Sequence, residues 1–266
     1  MISVADGILF MFQRRIERVA LGLRQSVRNL ARRVVGLGTG PVEPTLRIVS
    51  QRLEPTRRFD EAGDDLYVAF EDVFYDATVV ASLMRQYLPV LESSAASGLI
   101  VDLGVGRGEF LEMLLDAGLD AQGCEINAAE HSVLASRGLR VALADASRHL
   151  ETFDDDSIAA ITAIQVVEHL RPEYLLDLLH LIGRKLRTGG VVIIETPNML
   201  NCLVQQNFWL DVSHIRPYPP ETLQFYLQNA GLTEFEVWYS APQPPVTGPE
   251  ADGRSNYGNV TLVGHK

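Results

Sequence analysis

The sequence predicts an α/β protein whose doubly wound, mostly parallel sheet of seven strands begins near residue 98. Two observations lead to this prediction. From residue 98 to the C-terminus, apolar strand-like segments alternate with amphipathic helical segments, as in a parallel sheet built from right-handed crossovers. A glycine-rich turn also follows the first strand directly and opens the next helix.

Each element of this domain is predicted from its apolar spacing. The predicted strands cover residues 99–103, 121–126, 140–144, 158–164, 191–195, 234–239 and 259–263. The predicted helices cover residues 108–117, 128–137, 172–186 and 219–230. Pro- and Gly-rich sequence joins the last two strands, which favours an antiparallel end to the sheet.

Three regions precede the α/β domain, which we place at residues 98–266. Residues 1–40 are predicted to be a basic amphipathic helical extension, because apolar residues recur there at steps of three and four among seven arginines between residues 14 and 33. A linker at 41–60 and a helical cap at 61–97 follow. No apolar run reaches the roughly 18 residues of a transmembrane helix.

Charge is distributed unevenly along the chain, whose formal net charge is −11. Residues 1–58 hold 11 Arg against 4 acids, and the remainder holds 12 basic against 30 acidic residues. The acidic body should repel nucleic acid, so we predict no nucleic-acid partner. The predicted basic helix, at residues 8–35, could bind an anionic membrane surface or pack on a partner helix. The alternative is a helix that is exposed to solvent or self-associates.

Cysteine usage indicates a reducing compartment. The two cysteines, Cys124 and Cys202, form no CxxC pair and support neither a disulfide framework nor a structural zinc site. We therefore predict a cytoplasmic protein, with the basic helix as a means of peripheral contact with the inner face of the membrane. The oligomeric state is left open.

A glycine-rich turn lies between the first strand and the first helix of the domain, in the segment Asp102-Leu-Gly-Val-Gly-Arg-Gly108. Glycines allow a tight turn and a close approach of the backbone to a ligand, and the amides at the start of a helix favour an anionic group. A nicotinamide cofactor is disfavoured, because the sixth position counted from Gly104 is Glu109 and not a small residue.

Acidic residues lie at the ends of the first two strands and directly after the third: Asp102, Glu125 and Asp145. Together with the glycine turn, they resemble the signature of class I S-adenosylmethionine-dependent methyltransferases, over residues 98–266. The resemblance implies a Rossmann-like seven-stranded sheet and S-adenosylmethionine as cofactor. It places the methionyl part at Asp102 and the glycine turn, the ribose hydroxyls at Glu125 and the adenine amino group at Asp145. The alternatives are ordinary strand-end carboxylates and, for Asp145, a helix cap.

The cofactor-binding residues implied by this resemblance are Asp102, Gly104, Gly106, Gly108, Glu125, Ile126, Asp145, Ala146 and Gln165. The segment Gln165–Leu170 is similar to the one that passes beneath the methyl group in this superfamily. His169 and His214 are the side chains in plausible positions that titrate near neutrality, and with Asp211 they are the predicted catalytic groups. A structural role for His169 is the alternative.

Residues 198–220, with Tyr67, Phe70, Glu71 and Phe74 upstream, resemble a narrower group, the methyltransferases of bacterial polysaccharide and O-antigen assembly. This resemblance implies a glycan acceptor, methylated at a sugar hydroxyl or terminal phosphate, and a lid formed by the upstream residues. Arg216 suits an anionic acceptor through bidentate hydrogen bonds. The predicted acceptor residues are Arg216, Tyr218, Trp209, Asn198 and Glu71.

Two other functions compatible with these residues are a small-molecule O-methyltransferase of the quinone or phenolic type and a non-catalytic scaffold that retains the cofactor pocket. We predict no metal site, although the acids near Asp211 leave a divalent ion open.

Overall fold

The computed structural model describes four parts of the chain: residues 68, 76–94, 98–243 and 253–266. The predicted basic helix in residues 1–40 and the linker at 41–60 lie outside the described residues. So do the predicted acceptor-side residues Tyr67, Phe70, Glu71 and Phe74.

The described part of the predicted cap is helical. Helix α1 spans Ala77–Met84 and helix α2 spans Leu88–Ser94, with a 3-10 turn at Arg85–Tyr87 between them. Asp76 caps α1 by accepting a hydrogen bond from the Thr78 amide at 2.9 Å. Tyr87 is fully buried and anchors this segment to the domain core.

The seven predicted strands are all present. They are, in chain order, β1 Ile100–Leu103, β2 Ala121–Glu125, β3 Val141–Leu143, β4 Ile158–Ile164, β5 Leu186–Pro197, β6 Glu234–Pro242 and β7 Tyr257–His265. The described residues form one sheet in the order β3-β2-β1-β4-β5-β7-β6. The strand order reverses between β1 and β4, which are parallel to each other, so their carboxyl ends border the crevice in which such sheets bind ligands.

The end of the sheet is antiparallel, as predicted. Strand β7 lies between β5 and β6 and runs antiparallel to both. This arrangement confirms the predicted fold class.

Helices cover both faces of the sheet. Those that follow β1 are α3 Glu109–Asp116, α4 Ala128–Ser136, α5 Ala146–Glu151, α6 Pro172–Lys185, α7 Cys202–Phe208 and α8 Pro220–Asn229. Alternate residues of β5 face opposite layers: Val192 and Ile194 belong to the core with α6 and α8, whereas Val191 and Ile193 belong to the core with Tyr87 and α3. Among the described residues, no helix combines the length and apolarity needed to span a bilayer.

Helices α5 and α7 were not predicted. They have six and seven residues, so neither contains enough turns to show a helical period. Their starts are defined by side-chain caps: Asp145 accepts from the Arg148 amide, and Asn201 accepts from the amides of Leu203 and Val204. Capping residues of this kind are equally common in turns, which is why the sequence alone does not identify these helices.

Candidate active site

The glycine turn adopts a backbone that only glycine takes up without strain. Gly104, Gly106 and Gly108 have φ values of +70°, +55° and +92°. The amides of Gly104 and Val105 both donate to the Cys124 carbonyl, at 3.0 and 3.1 Å, which holds the turn against β2. A Cβ atom at Gly106 would meet nothing within 4 Å, so this part of the turn borders open space.

Asp102 is the acid at the end of β1, and it is 3% exposed. Its Oδ1 accepts a hydrogen bond from the Thr162 hydroxyl of β4 at 2.5 Å. Burial raises the pKa of Asp102 to about 7; the nearby Glu125 charge adds to the shift and the Thr162 hydrogen bond opposes it. A cation placed beside this carboxyl group would therefore favour its ionised form.

Glu125 links the glycine turn to the end of β2. Its two carboxylate oxygens accept from the amides of Gly106 and Asn127, each at 2.8 Å. Each oxygen has a second lone pair, so the group retains capacity for two further donors such as the hydroxyls of a diol. The next residue, Ile126, is 73% exposed, which leaves an apolar surface beside this carboxylate.

Asp145 serves as the N-cap of α5. Its Oδ1 accepts from the Arg148 amide at 3.1 Å and from the Tyr174 hydroxyl at 2.9 Å. Burial by itself raises the pKa of Asp145, but these hydrogen bonds and the Arg148 charge lower it overall. Asp145 therefore does cap a helix, as the alternative interpretation of the sequence had it. Binding of adenine by Asp145 and the adjacent Ala146 stays a prediction.

The three acids lie at one edge of the sheet. Asp102 and Glu125 end neighbouring parallel strands, and Asp145 follows β3 on the far side of β2. Burial is the main reason that the pKa of the Cys124 thiol rises to about 12, and the charges of all three acids add to this rise. Because electrostatic effects weaken with distance, the effect of all three acids on one thiol indicates that the acids lie in the same region.

Gln165 follows β4 and has a φ of +56°, an unusual conformation for a residue other than glycine. Its side-chain amide donates to Oε1 of Glu195 at 2.9 Å, and its backbone amide donates to the Glu195 carbonyl at 2.9 Å. Glu195 is buried and also accepts from Tyr87, Ser240 and Asn259. Tyr87 and Glu195 are thus network residues that sequence reasoning did not identify.

A second polar cluster lies after β4. It contains Glu168, His169, Asp211, Ser213 and His214. A 3-10 turn at Val167–His169 carries the first two, and the Glu168 carbonyl accepts from the Ile215 amide at 2.8 Å. This bond holds the segment after α7 against the turn and brings the two imidazole rings to a centroid separation of 4.6 Å.

Hydrogen bonds define the tautomers of both histidines. The Phe208 carbonyl lies 2.6 Å from Nδ1 of His214; because a carbonyl only accepts, Nδ1 carries the proton. Nδ1 of His169 lies 2.9 Å from the Ser213 hydroxyl, which itself donates to Asp211 and so accepts from the ring. In each neutral imidazole, Nε2 then carries the lone pair.

Burial determines the charge of this cluster. It raises the pKa of Glu168 to about 8, with smaller contributions from Glu195 and Asp211, so this carboxyl group resists ionisation. Burial is likewise the main reason that the pKa of His169 falls to about 4; a charge on His214 contributes to the lowering, and Asp211 opposes it. His169 is consequently neutral at pH 7, and its Nε2 lone pair can bind a proton or another Lewis acid.

The polar cluster is adjacent to the glycine turn. A Cβ atom at Gly104 would lie 2.7 Å from Cγ2 of Val166, the residue two positions before Glu168. The loop after β4 therefore packs on the loop after β1, at the reversal of strand order. A ligand in the crevice between these loops would have the acids on one side and the polar cluster on the other.

The remaining predicted acceptor residues differ in their surroundings. Asn198 is 2% exposed, and its side chain bonds the backbone of residues 200, 254 and 257. Tyr218 is buried and donates to the Leu170 carbonyl at 3.0 Å. Trp209 is 62% exposed, and the exposed Arg216 lies over the Tyr218 ring at 5.1 Å from its centroid. Trp209 and Arg216 are thus the two that can contact a ligand from solvent.

Comparison with known proteins identifies the same region of the chain. Residues 75–237 match a family model described as a methyltransferase domain. None of the curated proteins compared with the chain matches it.

Solved structures share the fold. A S-adenosylmethionine-dependent methyltransferase from Archaeoglobus fulgidus is 25% identical with a TM-score of 0.67, over 75% of this chain and 99% of that chain. A S-adenosylmethionine-dependent methyltransferase from Thermotoga maritima, described as a possible histamine N-methyltransferase, is 19% identical with a TM-score of 0.60, over 76% of this chain and 97% of that chain.

A third structure was solved with ligands. Phosphoethanolamine N-methyltransferase 2 from Haemonchus contortus, in complex with phosphomonomethylethanolamine and S-adenosylhomocysteine, is 16% identical with a TM-score of 0.50, over 68% of this chain and 52% of that chain. At 19% and 16% identity, the second and third similarities concern the fold alone.

Proposed function

Because the chain belongs to the methyltransferase domain family and has the class I fold, with S-adenosylmethionine as its methyl donor, we propose that it methylates an oxygen of a glycan, at a sugar hydroxyl or a terminal phosphate. The observation that carries this proposal is the polar cluster beside the glycine turn, in which two histidines present lone pairs next to two buried acids, Glu168 and Asp211.

The cofactor would lie between the three acids and the glycine turn. When bound, S-adenosylmethionine supplies an electrophilic methyl group on a positively charged sulfur. Glu125 would accept hydrogen bonds from the ribose hydroxyls through its remaining lone pairs, and the exposed Ile126 would cover an apolar face of the nucleoside. Asp102 would ionise beside the cationic methionyl part, since an adjacent positive charge lowers the pKa that burial has raised.

The acceptor would lie at the polar cluster. Methyl transfer is an in-line displacement: the new C–O bond forms as the C–S bond breaks, and sulfur keeps the electron pair of the broken bond. A sugar hydroxyl passes its proton to a basic group of the cluster, whereas a phosphate oxygen has no proton to lose at neutral pH. The chain's contribution is to align donor and acceptor and to hold the proton acceptor in place.

Two exposed side chains beside the cluster support a glycan acceptor. Phe208 packs on the His214 ring at a centroid separation of 4.4 Å, and its neighbour Trp209 offers a broad exposed face to a sugar ring. The exposed Arg216 can bind a phosphate with two parallel hydrogen bonds. An apolar face and an anion-binding side chain next to a proton acceptor fit a hydroxylated or phosphorylated glycan.

The proposal is tested by turnover of the full-length chain. The enzyme is supplied with S-adenosylmethionine and separately with glycans ending in a hydroxyl, glycans ending in a phosphate, and quinone or phenolic small molecules. Release of S-adenosylhomocysteine and a product mass increase of one methylene group are measured. We expect turnover with a glycan; turnover confined to the small molecules would contradict the proposal, and cofactor binding without any turnover would favour a scaffold.

Replacing His214 with Ala separates the acceptor site from the cofactor site. We expect turnover to fall by about 100-fold or more, the range for loss of a group that takes part in proton transfer, with S-adenosylhomocysteine affinity unchanged in calorimetry. The matched control is His180→Ala, because His180 is exposed on α6 and, among the described residues, its side chain bonds only its own helix backbone. Equal turnover in the two variants would remove His214 from the acceptor site.

We also propose that residues 8–35, which the sequence predicts to be a basic helix, associate with the inner face of the membrane, which would bring the enzyme close to lipid-linked glycans. The support is the apolar stripe flanked by arginines in the sequence. Deleting residues 1–40 should abolish flotation with vesicles that contain anionic lipid. Flotation that is unchanged by the deletion would contradict this association.

A further inference from the structure

Three ligand-type side chains meet at the polar cluster. One carboxylate oxygen of Glu168 and one ring nitrogen each of His169 and His214 all lie within 4.8 Å of one another. Ligand atoms on one ion at about 2.1 Å are at most about 4.2 Å apart, so the three side chains are already close to the spacing that one ion requires. The described residues contain no other group of this kind.

Glu168 provides a second and independent observation. Its side chain is fully buried; Oε2 accepts from the Thr196 hydroxyl at 3.0 Å, but Oε1 has no hydrogen-bond partner within the described part of the chain. A buried carboxylate oxygen without a partner is costly and is uncommon in folded proteins. A cation bound at Oε1 would remove this cost.

The histidine tautomers also suit a cation. Each ring donates its Nδ1 proton to a neighbouring oxygen, directly to the Phe208 carbonyl or to the Ser213 hydroxyl that is bonded to Asp211. Histidines that bind metals typically use the opposite nitrogen to donate to a carbonyl or carboxylate, which fixes the ring and increases its basicity. The Nε2 lone pairs of both rings are therefore oriented by fixed neighbours.

The cluster contains more acidic side chains than lysines and arginines. Glu168, Glu195 and Asp211 are buried close together, and none of them forms an ion pair with a lysine or arginine among the described residues. Oδ2 of Asp211 lies 3.8 Å from Nε2 of His214, and the two would form an ion pair only if the ring were protonated. A divalent cation would favour the ionised form of these acids.

We propose that Glu168, His169 and His214 bind one divalent transition-metal ion. Two imidazoles and one carboxylate favour zinc, iron, cobalt or nickel, whereas magnesium and calcium prefer an all-oxygen set. Three protein ligands leave open positions on the ion, and the site adjoins the glycine turn through Val166.

The role of the ion rests on the proposed function: it would hold an oxygen of the acceptor opposite the methyl donor. With the ion bound, Oδ2 of Asp211, which lies 3.8 Å from Nε2 of His214, would take the proton of a sugar hydroxyl in place of His214.

Metal titration of the full-length chain tests the site directly. The protein is treated with a chelator, dialysed and titrated with Co²⁺ and with Zn²⁺ in a calorimeter, without cofactor or acceptor. We expect one ion per chain, visible absorption bands of Co²⁺ bound by nitrogen and oxygen ligands, and no comparable binding of Mg²⁺. Absence of Co²⁺ and Zn²⁺ binding, or preferential binding of Mg²⁺, would overturn the proposal.

Variants distinguish this site from ion binding elsewhere on the acidic surface. Glu168→Gln and His214→Ala should each weaken Co²⁺ affinity by more than about 100-fold, and Ser213→Ala, which removes the partner of His169, by about 10-fold. The control His180→Ala should bind Co²⁺ as the unmodified chain does. Retained S-adenosylhomocysteine binding shows that each variant is folded, and Co²⁺ affinity unchanged in the ligand variants would refute the site.

The two proposals fail independently. If the chain binds Co²⁺ at these residues but methylates no glycan, the site stands and the acceptor is wrong. If the chain methylates a glycan equally well in the presence and absence of chelator and binds no ion, the acceptor stands and the metal site is wrong.

Discussion

Replacing Glu125 with Gln tests the link between the glycine turn and the end of β2. The carboxylate accepts from two backbone amides, those of Gly106 and Asn127, and the side chain is 7% exposed. Glutamine has a single acceptor oxygen, so one amide would face an NH₂ group. Loss of one hydrogen bond to a charged acceptor costs about 1.5–3 kcal/mol.

This cost should be visible in both stability and affinity. At about 2–4 °C per kcal/mol for a domain of this size, Tm falls by about 3–12 °C. S-adenosylhomocysteine affinity should fall by about 10–100-fold, because the ribose hydroxyls lose a charged acceptor. The measurements are thermal unfolding of the cofactor-free chain and calorimetric titration with S-adenosylhomocysteine.

Glu112→Gln is the matched control. Glu112 forms an ion pair with Arg137 in which the side chains are 45% and 33% exposed, so solvent screening limits its value to a few tenths of a kcal/mol. A Tm of Glu125→Gln equal to that of this control would refute the structural link. Unchanged S-adenosylhomocysteine affinity would refute the ribose-binding role while leaving the link intact.

Three further changes test the glycine turn, the buried acid and the Glu195 network. Gly104→Ala should lower cofactor affinity by about 10-fold or more and should destabilise the fold by more than Gly118→Ala does. Both glycines have positive φ, but only a Cβ atom at Gly104 would meet a valine methyl, at 2.7 Å. Calorimetry compares the affinities of the two variants, and urea unfolding compares their stabilities. Asp102→Asn should alter the pH dependence of unfolding, because the pKa of Asp102 rises on folding from 3.8 to about 7. The contribution of Asp102 to the free energy of unfolding is fully present below about pH 4 and is lost as pH rises through 7. Plots of this free energy against pH that stay parallel for the two chains would contradict the prediction. Tyr87→Phe should cost about 1.5–3 kcal/mol in urea unfolding, because it removes a donor from buried Glu195, and a change below about 0.5 kcal/mol would show that the network does not depend on it.

The sheet was predictable because its signals are local. Each strand is a short apolar run bounded by turn residues, and the segments between strands show the helical period. In α6, for example, the buried residues Leu175, Leu178, Leu179 and Ile182 follow one another at steps of three, one and three. The two missed helices, α5 and α7, lack that signal because they are too short. The antiparallel position of β7 between β5 and β6 was predictable only as a tendency, because strand order depends on contacts distant in sequence.

The role of an individual polar residue was less predictable, because one side chain can serve a ligand or the fold. Asp145 caps α5, Gln165 bonds Glu195, and Asn198 bonds backbone groups of a distant segment. These contacts are compatible with ligand binding where lone pairs or donors remain, and the predicted ligand roles stay predictions. The sequence contains no signal for the contact of Gln165 with Glu195 or of Asn198 with the Arg254 carbonyl, since these partners are 30 and 56 residues away.

The sequence by itself determined the glycine turn and the acids near the ends of β1 and β2, because these features depend on backbone conformation and strand ends within short segments. The cofactor class followed from the family resemblance that these residues carry. Only the tertiary structure decided that His169 and His214 adjoin, that Ser213 and Phe208 fix their tautomers, and that an oxygen of Glu168 is buried without a partner among the described residues. The physical reason is distance along the chain: a 3-10 turn after β4 and the segment after α7 meet through backbone hydrogen bonds that no local spacing encodes.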